Sequence, residues 1–253
     1  MDISEFKKTS VHYWQRHPWE VARAKIVRHL TKKNGKKLHH LLDIGSGDAY
    51  ILNKLCLENI ADNYTAVDTA YDPGIIKQII SNSHCSINFL NQLPTQLYPP
   101  PDSILLLDVI EHCKDDALML HEIINASVAQ KFILLITAPA FQSLFSKHDE
   151  LLRHYRRYTV KQLMQLCKSK GLQIEQAGYF FFSLLLIRYV QLFLEKIGLR
   201  NADRTINNWK GKKWITWVYT SLLWLDYRIG SFFILLGLRL PGLSAYCICH
   251  PSP

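Results

Sequence analysis

Residues 41–49 read Leu-Leu-Asp-Ile-Gly-Ser-Gly-Asp-Ala, an apolar run that breaks into two closely spaced glycines. No other segment constrains the fold as strongly. The apolar residues suit a short buried strand, the glycines a tight turn, and Ile51, Leu52 and Leu55 the inner face of a following helix. A glycine turn between strand and helix lets backbone approach a ligand closely and aims the helix's N-terminal amides at it. Asp68 lies 21 residues after Gly47 and closes a second expected strand, Tyr64 to Val67. A carboxylate at that point can receive both hydroxyls of a ribose. Asp43, ahead of the turn, can hold the turn's amides or take the ammonium of an amino-acid moiety. The pattern therefore expects a nucleotide-type cofactor, with a nicotinamide dinucleotide and S-adenosylmethionine equally open on these residues.

The alternation continues along the chain. Pro18 opens a helix with Trp19, Ala22, Ile26, Val27 and Leu30 at helical spacing, stopped by the basic run from Lys32 to Lys37. Ile75 to Ile80 is a weaker helix, and the four prolines between Leu93 and Asp102 make that stretch a loop. Ser103 to Val109 is nearly all apolar, as expected of a parallel strand covered on both faces. A helix over 116–126 follows, then a strand from Phe132 to Ile136 stopped by Pro139. Thr159 and Gln162 form a capping box for a helix bearing Val160, Leu163, Met164 and Cys167 and ending at Gly171. Leu172 to Ala177 and Ser244 to His250 are the last strand candidates. Strands alternating with helices predict a three-layer α/β sandwich. We divide the chain into an N-terminal helical cap (1–40), an α/β core (41–178), an apolar aromatic insertion (179–243) and a final strand with its tail (244–253).

The 48% hydrophobic fraction excludes a disordered chain. The net charge of +9 is unevenly placed: residues 1–40 carry +7, residues 41–140 carry −8 and residues 141–213 carry +9. Basic blocks flanking an acidic core fit an anionic lipid surface, a phosphorylated acceptor or nucleic acid. Nucleic acid is disfavoured, because the aromatics sit in apolar runs instead of among the lysines. Residues 179–199 and 214–240 are strongly apolar, yet Arg188, Glu195, Asp226 and Arg228 interrupt them, so neither reads as a spanning helix. They form a helical lid, a dimer face or a membrane-interface hairpin, and Trp209, Trp214, Trp217, Tyr219, Trp224 and Tyr227 resemble an interfacial aromatic belt. Cys247 and Cys249 alternate along one strand and point to the same side, with His250 opposite; a metal site needs two more ligands, so no metal is expected. Free buried thiols and the charged segment from Met1 to Lys8 suggest a cytoplasmic protein, with peripheral contact on the inner face of the membrane as a possibility.

On Leu42-Asp43-Ile44-Gly45-Ser46-Gly47-Asp48, Asp68 and Leu107-Asp108-Val109-Ile110-Glu111-His112, the chain resembles the class I S-adenosylmethionine-dependent methyltransferases, in particular a small-molecule branch that includes ubiquinone-type and glycan-modifying enzymes. The resemblance covers about residues 18–178 plus the terminal strand. It implies a Rossmann-like seven-stranded sheet with the last strand inserted antiparallel, and S-adenosylmethionine as cofactor. It further implies that Asp43, Gly45, Ser46 and Gly47 meet the methionine end, that Asp68 binds the ribose, and that Asp108 and Val109 back the sulfonium. Two positions depart from the pattern: Ala49 stands where a third glycine is usual, and Asn91-Gln92 stands where an acidic residue often binds adenine. The stretch from Tyr13 to Trp19 with Arg23 is similar to a bacterial subgroup, which implies an N-terminal helix closing on the cofactor, with Tyr13 touching it and Arg23 near its carboxylate.

The same subgroup has a segment similar to Ser146–Thr159, His-Asp followed by His-Tyr-Arg-Arg-Tyr, in its acceptor region. Here His148, Asp149 and His154 are the candidate catalytic residues, with Asp149 orienting His148 as a general base. Arg156 and Arg157 are candidates to hold a phosphate or carboxylate, with His112 and Tyr158 beside the acceptor. The expected reaction is O-methylation of a hydrophobic or lipid-linked anionic small molecule. The competing expectations are a non-catalytic scaffold in a membrane complex and an RNA methyltransferase.

Overall fold

The computed structural model describes residues 16–32, 37–83, 85–127, 131–198, 209 and 211–252. Helix α1 (Pro18–Thr31) starts where the sequence places it, because the side chains of His17 and Glu20 cap each other's backbone in a reciprocal box. Then follow β1 (Leu38–Ile44), α2 (Tyr50–Leu57), β2 (Ala61–Val67), α3 (Pro73–Ser81), β3 (Asn88–Leu90), β4 (Ser103–Leu107), α4 (Asp116–Ala126) and β5 (Ile133–Pro139). The chain continues through α5 (Lys147–Leu151), α6 (Val160–Ser169), β6 (Leu172–Phe180), α7 (Phe182–Lys196), α8 (Lys213–Leu235) and β7 (Ser244–Pro251).

All seven strands form one sheet in the order β3-β2-β1-β4-β5-β7-β6. The first five pair in parallel, and β7 inserts antiparallel between β5 and β6. Strand order reverses beside β1, between β2 and β4, which opens a crevice at the strands' C-terminal ends. Adjacent residues of the central strands feed opposite cores. Leu41, Leu105 and Leu135 join Ile26, Leu52, Ile75 and Leu223 on the face covered by α1, α2, α3 and α8. Leu42, Ile104 and Ile136 join Leu120, Leu163 and Cys167 on the face covered by α4 and α6. Cys247 and Cys249 share that second face, as their spacing predicts.

Several boundaries differ from expectation: β2 starts at Ala61 instead of Tyr64, and β5 runs to Pro139 instead of Ile136. β4 ends at Leu107, two residues early, because Asp108 takes a φ of 54°, which no strand accommodates. β3 is a three-residue edge strand with no sequence signal of its own. β6 runs on to Phe180, and Phe181, at φ 66°, turns the apolar run into α7.

Helix α8 packs with an inverted pattern. Its buried residues, Thr216, Thr220, Leu223 and Tyr227, form one stripe that is half threonine. Thr220 donates to the carbonyl of Pro18 at 3.4 Å, and Tyr227 Oη lies 2.9 Å from His29 Nδ1. The opposite face carries Trp214, Trp217, Leu225, Phe232 and Leu235, each more than half exposed. α7 likewise exposes Leu186, Ile187, Val190 and Phe193. No described helix is long and apolar enough to cross a membrane.

Candidate functional site

The turn after β1 has the backbone that its glycines predict. Gly45 and Gly47 have φ of 70° and 56°, and Ala49, at 54°, supplies the third left-handed residue with its methyl fully buried. A Cβ on Gly45 would overlap Cγ2 of Val109, so β1's turn and the end of β4 meet without space for a side chain. Asp68 ties this turn to β2: Oδ2 accepts from Gly47 N at 2.9 Å and Oδ1 from Ala70 N at 3.0 Å. A carboxylate has about four lone-pair positions, so each oxygen retains capacity for a ligand hydroxyl. Ser46 Oγ lies 2.6 Å from Tyr71 Oη. Asn91 and Gln92 are exposed in the loop after β3.

A cleft of about 440 Å³, its open mouth included, lies against this turn. Asp43, Gly45, Ser46 and Asp48 line its floor, and Arg16, Trp19, Glu20 and Arg23 its α1 side. Asp43 is 2% exposed, and its Oδ1 has no hydrogen-bond partner among the described residues. Burial pushes its pKa up to about 7, opposed by Arg23 and reinforced by Asp68. Of the two roles left open for Asp43, holding the turn's amides is not the one observed, since no amide bonds to that oxygen.

Arg23 is placed differently from expectation. Its Nη1 pairs with Asp108 Oδ2 at 2.9 Å and its Nη2 is 3.4 Å from Thr137 Oγ1, which itself donates to Asp108 Oδ1 at 2.8 Å. Asp108 therefore holds the guanidinium that the resemblance reserved for a cofactor carboxylate. Arg16, which sequence reasoning left without a role, is buried in ion pairs with Asp48 and Glu20 and sits 4.1 Å over the Tyr50 ring. Tyr13 lies outside the described residues, as does Trp14.

In the segment expected to form the acceptor region, the chain after β5 folds back onto that strand: Tyr158 N donates to Pro139 O at 2.9 Å. Asp149 is fully buried and accepts from His154 Nδ1 at 3.0 Å, Arg157 Nε at 2.8 Å, Arg157 Nη2 at 3.1 Å and Ser146 N at 2.9 Å. Although burial pushes this carboxyl up, His154 and Arg157 hold it well below the usual carboxylate range. The expected Asp149–His148 pair does not form. Successive helical residues point about 100° apart, so with Asp149 inward His148 is exposed on α5. His154, past the helix end, reaches back in its place. An ionised carboxylate only accepts, so the shared proton sits on Nδ1 and Nε2 points away from Asp149.

The two arginines are also already committed. Arg157 forms a bidentate pair with Asp149, and Arg156 pairs with Asp116 at 3.0 Å and donates to Lys114 O at 2.6 Å. Neither is an open anion receptor. Tyr158 is 4% exposed and donates to Asp116 Oδ2 at 2.7 Å, a structural role instead of an acceptor contact. His112 is exposed, with its ring 4.5 Å from that of His154 and nearly perpendicular to it. Between them lies a residue without an assigned role in the sequence: Glu111 is 0% exposed, and neither carboxylate oxygen has a hydrogen-bond partner from another described residue. Burial, and then Asp108, push its carboxyl well above the usual range.

No protein-family profile matches the chain, and no curated protein sequence matches it. Solved structures do. The plantazolicin methyltransferase BpumL, in complex with a pentazolic desmethylPZN analog and S-adenosylhomocysteine, aligns over 99% of this chain and 90% of its own with a TM-score of 0.57 at 12% identity. The N-methyltransferase NodS from Bradyrhizobium japonicum WM9, with S-adenosyl-L-homocysteine, covers 64% of this chain and 79% of its own, with a TM-score of 0.50 at 15% identity. This is the methyltransferase fold. Its seven strands and antiparallel β7 are the features the resemblance implied. At these identities the likeness is one of architecture, and the methyltransferase fold is held here by a different sequence.

Proposed function

We propose that the chain is an S-adenosylmethionine-dependent methyltransferase that modifies an oxygen of an apolar acceptor met at a membrane surface. The observation that carries the first half is Asp43: a carboxylate buried at the floor of the cleft, one oxygen without a partner, two residues before Gly45, a position that admits no side chain. A buried polar group is normally hydrogen-bonded, and a ligand ammonium would satisfy this one. Asp68 stands at the end of β2 with capacity for ribose hydroxyls, so the residues present fit the cofactor.

When bound, S-adenosylmethionine supplies a methyl group activated by its sulfonium. Asp43 would then neutralise the ammonium and Asp68 would hold the ribose, while the Gly45, Ser46 and Gly47 amides stay bonded to Val67 O and Asp68 Oδ2. The Arg23–Asp108–Thr137 triangle pairs the guanidinium internally on the α1 side of the cleft. Such transfer depends mainly on alignment of the acceptor, and the exposed His112 beside His154 would face its polar end. Arg156 and Arg157, being internally paired, give no support to an anionic head group.

The Asp43 role has a pH signature. Asp43 faces Arg23 from α1, and Asp48 and Asp68 from the neighbouring turns. An ammonium requires the ionised carboxylate, so protons compete below pH 7. Affinity for S-adenosylhomocysteine, measured by calorimetry between pH 5 and 8, should weaken about tenfold per unit below 7. Asp43→Asn should bind weakly with a flat profile. The unliganded protein should show the converse linkage. A raised carboxyl pKa favours folding below the unfolded value near 4, and that advantage is lost as pH rises through 7. Wild-type affinity independent of pH would remove Asp43 from this role.

The membrane half rests on the outward faces of α7 and α8, which together present a broad apolar surface far beyond scattered exposed residues. Exposed Lys212 and Lys213 stand at the start of α8, where they suit anionic headgroups. In flotation with vesicles of phosphatidylcholine and phosphatidylserine, the protein should rise with the lipid. Phe193→Ser with Trp217→Ser should lower partitioning tenfold or more, since both side chains are over 60% exposed and their loss leaves the core intact. Wild-type protein that stays with the aqueous fraction contradicts this half alone.

A further inference from the structure

We propose that Glu111, His112 and His154 form a binding site for a divalent transition-metal cation. The three offer one carboxylate oxygen and two ring nitrogens, all within 4.8 Å of one another. Glu111 supplies the decisive observation: a fully buried carboxyl group with no partner from another described residue for either oxygen. A buried carboxyl group with no hydrogen-bond partner is costly in either protonation state, and buried charges are as a rule paired or bound to metal. A cation at this position resolves it.

The surroundings are arranged as metal sites are. Asp149 fixes the His154 ring from behind through Nδ1, leaving Nε2 directed away, and Arg157 and Ser146 hold Asp149 in turn. A carboxylate behind a ligating imidazole fixes its tautomer and orientation. Tyr155 N donates to the Glu111 carbonyl at 2.8 Å, which locks the segment bearing His154 against the turn bearing Glu111 and His112. Bonds of about 2.1 Å require donor atoms roughly 3.4 Å apart in a tetrahedral site. The three donor atoms lie within 4.8 Å of one another, a limit that includes this spacing.

Two imidazoles and one carboxylate select the ion. Magnesium and calcium prefer all-oxygen sets, whereas manganese, iron(II), cobalt and zinc accept this one. Three protein ligands leave a coordination position for an oxygen ligand. The site lies three residues beyond Asp108, at the sheet edge that carries the cleft. The inference goes beyond methyl transfer and does not depend on it, because the test reads cation binding alone.

The probe is cobalt(II), titrated into the full chain under visible and near-ultraviolet absorption. A second cluster makes the choice of ion matter: Cys167, Cys247 and Cys249, all fully buried, bring three sulfurs within 4.8 Å. Thiolate ligation of cobalt gives intense near-ultraviolet charge-transfer bands, and nitrogen–oxygen ligation gives only weak visible bands. The expected result is one cobalt per chain with the weak bands alone. Glu111→Gln and His112→Ala should each weaken it tenfold or more. His112→Ala, at an exposed position, should keep the wild-type melting temperature, so a folding failure of Glu111→Gln leaves the test intact. No cobalt bound, thiolate bands at the binding stoichiometry, or wild-type affinity in folded His112→Ala would each overturn the proposal.

Discussion

Gly45→Ala is expected to abolish measurable affinity for S-adenosylhomocysteine and to lower the unfolding free energy by about 2–5 kcal/mol. Two independent costs add. At φ 70° an alanine sits in the left-handed region, which costs roughly 1–2 kcal/mol. The new methyl also overlaps Val109 Cγ2, and forcing a close-packed contact apart costs about 1–3 kcal/mol. Val109 is β-branched and cannot swing aside freely. The separation is testable: adding Val109→Ala should recover the packing part and leave the backbone part. Urea unfolding of the two single variants and the double variant measures both. Equal destabilisation of Gly45→Ala with and without Val109→Ala would show that the turn and the end of β4 are not in contact.

Asp149→Asn should be the most damaging isosteric change in the acceptor region, lowering stability by about 3–5 kcal/mol. The carboxylate is fully buried and receives four side-chain or backbone donors beside the Ser146 hydroxyl. Neutralising it leaves the Arg157 guanidinium, whose side chain is 9% exposed, without its counter-charge. Most of the loss is that orphaned charge instead of a missing attraction. Asp149→Asn with Arg157→Leu should therefore be markedly more stable than Asp149→Asn alone, as read by chemical unfolding. A loss below about 1 kcal/mol in Asp149→Asn would mean that the pair is effectively solvated. Because a typical domain is stable by only about 5–15 kcal/mol, the single variant should be visibly compromised.

What the sequence made legible follows from where the physics is local. Leu41 and Leu42 alternate between two cores, and β4's apolar run reports a strand covered on both faces. Thr159 and Gln162 cap α6 through a four-residue pattern, so that helix start was readable. The turn at Gly45 and Gly47 was readable because only certain residues tolerate its backbone. β3 was not, since three edge residues carry no period. Nor was the end of β6: Phe180, Phe181 and Phe182 look alike, and the switch is a backbone dihedral at Phe181 with no glycine to announce it.

The polar site divides the same way. The cofactor-side residues lie within one turn and one strand end, whereas the acceptor side depends on long-range returns of the chain. Asp149 next to His148 suggested a pair, yet helix geometry separates neighbours and delivers His154. Arg156 and Arg157 resembled an anion receptor until Asp116 and Asp149 arrived from other elements. Glu111 stood in the motif after β4, yet its burial was not readable, because burial of a charge is a property of everything packed around it. The apolar outer faces of α7 and α8 were visible as composition, and the inverted orientation of α8 is set by its contacts to α1.

The central claim is that the crevice beside β1 holds an adenosine carrying a sulfonium amino acid. Equilibrium dialysis of the folded protein with labelled S-adenosylmethionine, competed separately by S-adenosylhomocysteine and by NADH, tests it most directly. The account predicts saturable binding at one site per chain, displaced by S-adenosylhomocysteine, unaffected by NADH and weakened at least tenfold in Asp68→Ala. Displacement by NADH, or absence of binding to protein that melts cooperatively, would contradict it.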